Sequence, residues 1–259
     1  MSQDTATADS RTAFADFDLG LDLDAAPASA ARPAIRKVGV VGAGTMGGGI
    51  AALAASAGLP VVLLDIPADG PDRSAIAKGA LQRLVKAKPA AFMDAARAAA
   101  IRTGNTEDDL GLLADCDLVI EVIIEQPKPK QALFARLEEI LKPTAIVSSN
   151  TSGIPMQVLT EGRSARFKQH FLGTHFFAPP RYMHLLELIP TPETDPAVIE
   201  QVRKFGERIL GKGIVIAKDA PGFVANRLGV FGMNRTIAAM ERFDLTIDEV
   251  DGLTGPLLG

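Results

Sequence analysis

The chain has 259 residues, 47% of them hydrophobic, with a formal net charge of −4, one cysteine and three histidines. Length and apolar content suit one large domain or two small ones with a real core, and the mild negative charge supplies no basic field for nucleic acid. No apolar run reaches the roughly 18 residues of a membrane span; the lone Cys116 excludes an intrachain disulfide framework and fits a small core residue in a reducing, cytoplasmic setting.

Residues 1–34 are rich in Ala, Asp, Ser and Thr and read as a disordered N-terminal tail. They lack a basic start followed by an apolar block, so they do not read as a secretory signal. Six aspartates before residue 30 argue against a mitochondrial transit peptide. From Ile35 apolar runs alternate with helical patterns. Strands are predicted at Lys37–Val41, Val61–Asp65, Leu118–Ile123, Ala145–Ser149, Phe171–Phe177, Leu185–Ile189 and Gly213–Ala217. Helices are predicted at Thr45–Ala57, Ser74–Lys88, Pro129–Leu141 and Ala197–Leu210. Continuous Val, Ile and Leu runs suit strands covered on both faces. The alternation predicts an α/β fold: a Rossmann-like, doubly wound, mostly parallel sheet over residues 35–219. From Pro221 the pattern becomes helical only, so residues 220–259 read as the beginning of an all-α domain.

The turn after the first predicted strand is "GAGTMG", Gly42 to Gly47. Gly42, Gly44 and Gly47 make G-x-G-x-x-G between a strand and a helix, and Ala43, Thr45 and Met46 complete the loop. Such a turn brings backbone N–H groups and a helix N-terminus close to a pyrophosphate. The second strand ends in Asp65, 23 residues after Gly42. A carboxylate there accepts both ribose hydroxyls and repels a 2′-phosphate, which points to NAD over NADP.

Ligands bind beyond the carboxyl ends of strands in such sheets. The residues that follow those ends are Glu125 and Lys130, then Asn150, Thr151 and Ser152, then His175. His175 is the candidate acid–base group, because imidazole titrates near neutrality. Glu187 lies in the apolar run "LLELI" and needs a partner, for which a histidine is natural. His170 and His184 have weaker claims. Three scattered histidines and one cysteine suggest no metal site. No G-x-S-x-G elbow or Walker-type loop occurs, and the single tyrosine, Tyr182, has leucine four residues on, not lysine.

The segments "GVVGAGTMGGGIA", "DLVIEVIIEQPKPKQALFARLE", "SSNTSG", "GTHFFAPPRYMHLLELIPTPETD" and "KDAPGFVANRL" resemble, in order, the motifs of L-3-hydroxyacyl-CoA dehydrogenases, and most of all the long bacterial fatty-acid degradation proteins. The resemblance implies oxidation of a 3-hydroxyacyl-CoA to the 3-ketoacyl-CoA in β-oxidation, with NAD as hydride acceptor. It implies His175 as base, Glu187 as its partner, Ser152 at the substrate oxygen and nicotinamide, and Asn226 at the substrate carbonyl. It implies cofactor contacts from Glu125, Lys130 and Asn150, and places Arg83, Lys86 and Lys88 where coenzyme A phosphates lie. It also implies a homodimer formed through a helical domain of which residues 220–259 are only the start. Two positions depart from the family: Ala178 stands where it has asparagine, and Gln126 where "VEN" has asparagine. Two alternatives are an NAD-binding module with little turnover, and a hydroxyacid dehydrogenase of the 3-hydroxyisobutyrate type, which would use a lysine in place of "THFF" and "LLELI".

Overall fold

A computed structural model describes residues 34–255; the expected tail lies outside the described residues, apart from Ala34. The first half alternates strand and helix. β1 (Val38–Val41) leads to α1 (Thr45–Ser56), β2 (Val61–Asp65) to α2 (Ala75–Val85), and then come β3 (Ile101–Asn105) and β4 (Leu118–Glu121). α3 (Pro127–Ile140) and β5 (Ile146–Ser149) follow, then the short α4 (Met156–Leu159) and α5 (Ala165–Gln169). β6 (Phe171–Phe176), β7 (Leu185–Pro190), α6 (Pro196–Arg208) and β8 (Gly213–Ile216) complete the sheet; α7 (Ala225–Phe243) and α8 (Ile247–Thr254) come last.

The eight strands lie in the order β3-β2-β1-β4-β5-β6-β7-β8. All neighbours are parallel except β6 and β7, which run antiparallel. The strand order reverses between β1 and β4, where a crevice opens at the carboxyl ends. Both faces are covered. Val38, Val40, Val61, Leu63 and Ile120 pack with Ile50, Ala51 and Ala54 of α1 on one side. Val41, Val62, Leu64 and Val119 pack with Leu133, Phe134 and Leu137 of α3 on the other. The alternation along each strand sends successive side chains to opposite faces. Phe134, Phe167 and Phe171 extend the second layer, with ring centroids 5.2 to 5.9 Å apart.

Several boundaries differ from the sequence expectations for identifiable reasons. β4 stops at Glu121, two residues before the predicted end, because the Glu121 carboxylate accepts the Ile123 N–H at 2.7 Å and bends the chain out of the sheet. α2 ends at Val85, short of the predicted Lys88, since Pro89 disfavours a helical conformation for the residue before it. Lys86 caps the helix and Lys88 lies beyond it. β3, with the sequence IRTGN, has no counterpart among the predicted strands, nor does α8, which is fixed by a reciprocal Thr246–Glu249 capping box. Cys116 is buried and apolar in its contacts, as expected for a core residue.

Candidate active site

The glycine turn is built as its sequence demands. Gly42 has φ +107, and a side chain there would meet the Val122 carbonyl oxygen at 2.3 Å. Gly47 sits so close to the turn that a Cβ would lie 1.8 Å from the Gly42 oxygen. Gly44, the residue before α1, has no heavy atom within 4 Å of where its side chain would be, and no side chain caps the helix. The first intrahelical bond is from Gly48 N–H to the Gly44 carbonyl, at 2.9 Å. The N–H groups at the start of α1 thus face an open cradle with a partial positive charge, which suits a diphosphate. Asp65 closes the other side: its Oδ2 accepts the Ala43 N–H at 2.5 Å and its Oδ1 the Ile66 N–H at 2.7 Å.

A cleft of about 330 Å³ opens at this edge. Gly44, Thr45, Met46 and Gly47 form one wall, and Glu125, Lys130, Asn150 and Ser152 form the other, over Val122 and Ile123. Eight of the predicted cofactor residues therefore share one cavity. Gly42, Ala43 and Asp65 adjoin it through the turn itself.

Lys130 takes an orientation that the sequence does not reveal. Its side chain is 1% exposed, and Nζ donates to Glu121 Oε1 at 2.6 Å, with the Ile123 carbonyl at 3.4 Å and Glu125 Oε2 at 3.3 Å. Sequence reasoning passes over Glu121, which looks like part of the run "LVIEVII"; a carboxylate inside such a run was the available signal. Its Oε2 accepts the Ser149 hydroxyl at 2.5 Å. Burial pushes the Glu121 carboxyl up, against the opposing pull of Lys130, Ser149 and the Ile123 N–H. For Glu125, burial also acts upward. The Thr151 hydroxyl, the Ser152 N–H and Lys130 outweigh it and hold the group below the usual carboxylate range.

His175 and Glu187 face each other directly across the antiparallel β6–β7 pair, which explains their twelve-residue spacing. Nδ1 of His175 lies 2.7 Å from Glu187 Oε2. His175 is 4% exposed, its ring held between Phe177 at 4.5 Å and Phe223 at 5.5 Å between centroids. Glu187 is fully buried, and its second oxygen accepts the Val224 and Ala225 N–H groups, at 3.0 and 2.8 Å, at the start of α7. Gly222 and Phe223, at φ +75 and +45, turn the chain so that this helix end reaches the carboxylate. Asn226 follows in the first turn of α7, half-buried, next in sequence to the Ala225 N–H that Glu187 accepts, and outside the walls of the cleft. Asn150 joins the two regions, since its Oδ1 accepts the Phe176 N–H at 2.9 Å.

The remaining candidates lie apart. Arg83, Lys86 and Lys88 are exposed around the end of α2, which packs on α1 through Leu84 against Gly48. His170 is half-buried and His184 exposed, and neither lines the cleft. Ala178 is exposed just past His175. Lys212, which sequence reasoning also passes over, is buried and donates to the carbonyls of Pro180 and Met183, the latter at 2.7 Å, so it pins the loop after β6.

A doubly wound sheet, a glycine turn against a helix N-terminus and an acid at the end of β2 define a dinucleotide-binding domain. The family model for "3-hydroxyacyl-CoA dehydrogenase, NAD binding domain" matches residues 37–220, so the chain belongs to the 3-hydroxyacyl-CoA dehydrogenase family and carries its NAD-binding domain. A relative from Deinococcus radiodurans, named "Probable 3-hydroxyacyl-CoA dehydrogenase", is 55% identical over 87% of this chain and 65% of its own length. One of the same name from Bacillus subtilis is 47% identical over 87% of this chain and 30% of its own. The chain thus spans less than two thirds of these relatives. Among solved structures, (S)-3-hydroxybutyryl-CoA dehydrogenase PaaH1 from Ralstonia eutropha superposes with a TM-score of 0.72 at 31% identity, covering 87% of this chain and 79% of that one. Among the described residues, no helix is long and apolar enough to cross a membrane.

Proposed function

We propose that the chain acts in the NAD-dependent oxidation of 3-hydroxyacyl-CoA to 3-ketoacyl-CoA, a step of fatty-acid β-oxidation. The carrying observation is the His175–Glu187 pair, at 2.7 Å, joined through Asn150 to the wall of the cleft that the glycine turn forms. NAD, when bound there, supplies the hydride acceptor. Because Glu187 is a carboxylate, Nδ1 of His175 carries the proton of their bond, which leaves Nε2 as the nitrogen that takes the O–H proton of the alcohol. Glu187 holds the ring in this tautomer and stabilises the imidazolium that results. Ser152 serves the substrate oxygen and Asn226 the thioester carbonyl; each donor aimed at developing negative charge contributes about 2–4 kcal/mol. Arg83, Lys86 and Lys88, exposed near α1, suit the phosphates of coenzyme A. The two curated relatives, both named as 3-hydroxyacyl-CoA dehydrogenases, support the same activity.

The test is NADH oxidation by acetoacetyl-CoA, followed at the nicotinamide absorbance band, in wild type and His175→Ala. The reading expects turnover in the wild type and a loss on the order of 10²–10⁴ in the variant. Turnover that survives the substitution removes His175 from the role of base.

A further inference from the structure

The cleft carries an unbalanced charge. At the end of β4 one ammonium faces two carboxylates: Lys130 Nζ lies 2.6 Å from Glu121 Oε1 and 3.3 Å from Glu125 Oε2. Glu121 is fully enclosed, and its two oxygens meet donors only, namely Lys130, the Ile123 N–H and the Ser149 hydroxyl. That environment fits an anion paired with Lys130. Glu125 differs. Its side chain is 48% exposed and lines the cleft, and its shorter contacts are the neutral Thr151 hydroxyl and the Ser152 N–H at 2.9 Å. Neutral donors orient a carboxylate without cancelling its charge. The group of three therefore sums to one negative charge, on the member that faces the cavity.

The place of that charge along a bound dinucleotide follows from the fold. The glycine turn and the start of α1 take the diphosphate, and Asp65 marks the adenosine side. From the turn, the opposite wall runs through Glu125 and Ser152 to Asn150, which is bonded to the residue after His175. Glu125 thus belongs to the nicotinamide side. The oxidised nicotinamide ring is a cation and the reduced ring is neutral, while the rest of the molecule is the same in both. A fixed negative charge on that side acts on the difference between them.

We propose that Glu125 sets the preference of this cleft between the two redox forms of the coenzyme, biasing it towards the oxidised one. This deepens the dehydrogenase reading and rests on it. At the separations and dielectric of a half-exposed cleft, one unit charge changes the ratio of dissociation constants, NAD⁺ over NADH, by about three- to tenfold.

The experiment measures both constants on the full chain, NADH by its fluorescence and NAD⁺ by competition, for wild type, Glu125→Gln and Glu125→Asp. Glutamine keeps an oxygen to accept from Thr151 and Ser152 but removes the charge; aspartate keeps the charge. The expected result is a ratio raised about three- to tenfold in Glu125→Gln and within about twofold of wild type in Glu125→Asp. An unchanged ratio in Glu125→Gln, or equal shifts in both variants, overturns the proposal. Should Glu125→Gln fail to fold, the salt dependence of the wild-type ratio decides: screening must raise it, and a ratio indifferent to salt overturns the proposal. A wild type that binds neither form overturns the underlying reading instead.

Discussion

Glu187→Gln separates the two tasks of the buried carboxylate. In the wild type three donors converge on Glu187: His175 Nδ1 at 2.7 Å, and the Val224 and Ala225 N–H groups at 3.0 and 2.8 Å. Glutamine has one oxygen to offer. The backbone N–H groups cannot change their chemistry, so that oxygen stays with them and the new amide N–H₂ faces His175. Nδ1 must then accept a hydrogen bond, which moves the ring proton to Nε2, the nitrogen that the proposed reaction needs free. A base locked in the wrong tautomer costs on the order of 10³–10⁴ in rate. The two bonds to α7 lose only their charge assistance, about 1 kcal/mol each. The chain should therefore stay folded and bind NADH within about twofold of wild type, because Glu187 lies outside the cleft walls. Stopped-flow reduction of acetoacetyl-CoA, with coenzyme titration and thermal unfolding run in parallel, reads all three quantities. Activity within tenfold of wild type would refute the tautomer argument.

Asp65→Ala should weaken NAD by about ten- to a hundredfold, through lost charge-assisted hydrogen bonds to the ribose, and affect NADP much less. Fluorescence titration with both reduced coenzymes checks this, and equal weakening would remove Asp65 from the ribose. Burial pushes the Cys116 thiol up to about 12 from an ordinary 9.0. Between those values the native state holds a proton that the unfolded chain releases. The stabilising contribution is complete below 9.0 and declines as pH rises, by about 1.4 kcal/mol per pH unit for one proton. The stability difference between wild type and Cys116→Ala in urea should therefore narrow above pH 9.0, and a constant difference would contradict the assignment.

Seven of the eight strands of the described residues were legible, and β1, β2 and β4 most plainly, because burial on both faces writes itself as runs of Val, Ile and Leu. β3 was not, because an edge strand with the sequence IRTGN carries one large apolar residue and a glycine, and reads as loop. The site was legible where a residue follows a strand end: Glu125, Asn150 and Ser152 all reach the cleft. The direct pairing of His175 with Glu187 rested on the need of a carboxylate in an apolar run for a partner and on the family resemblance, since antiparallel register is not written in either strand alone. What single-residue reading could not supply were the groups that act through others. Glu121 turns Lys130 inward, and Lys212 braces the loop after β6 through carbonyl groups that no sequence pattern marks.

One sheet edge is expected to bring the nicotinamide end of the coenzyme to His175. A crystal structure of the chain with NAD⁺ tests it most directly. The diphosphate should sit on the N–H groups of Gly44 to Gly47, with the nicotinamide ring beside Glu125 and Ser152 and its reactive carbon one substrate atom away from the His175 ring. A coenzyme bound with its nicotinamide pointing away from β6, or a diphosphate lodged elsewhere than the glycine turn, would contradict the account.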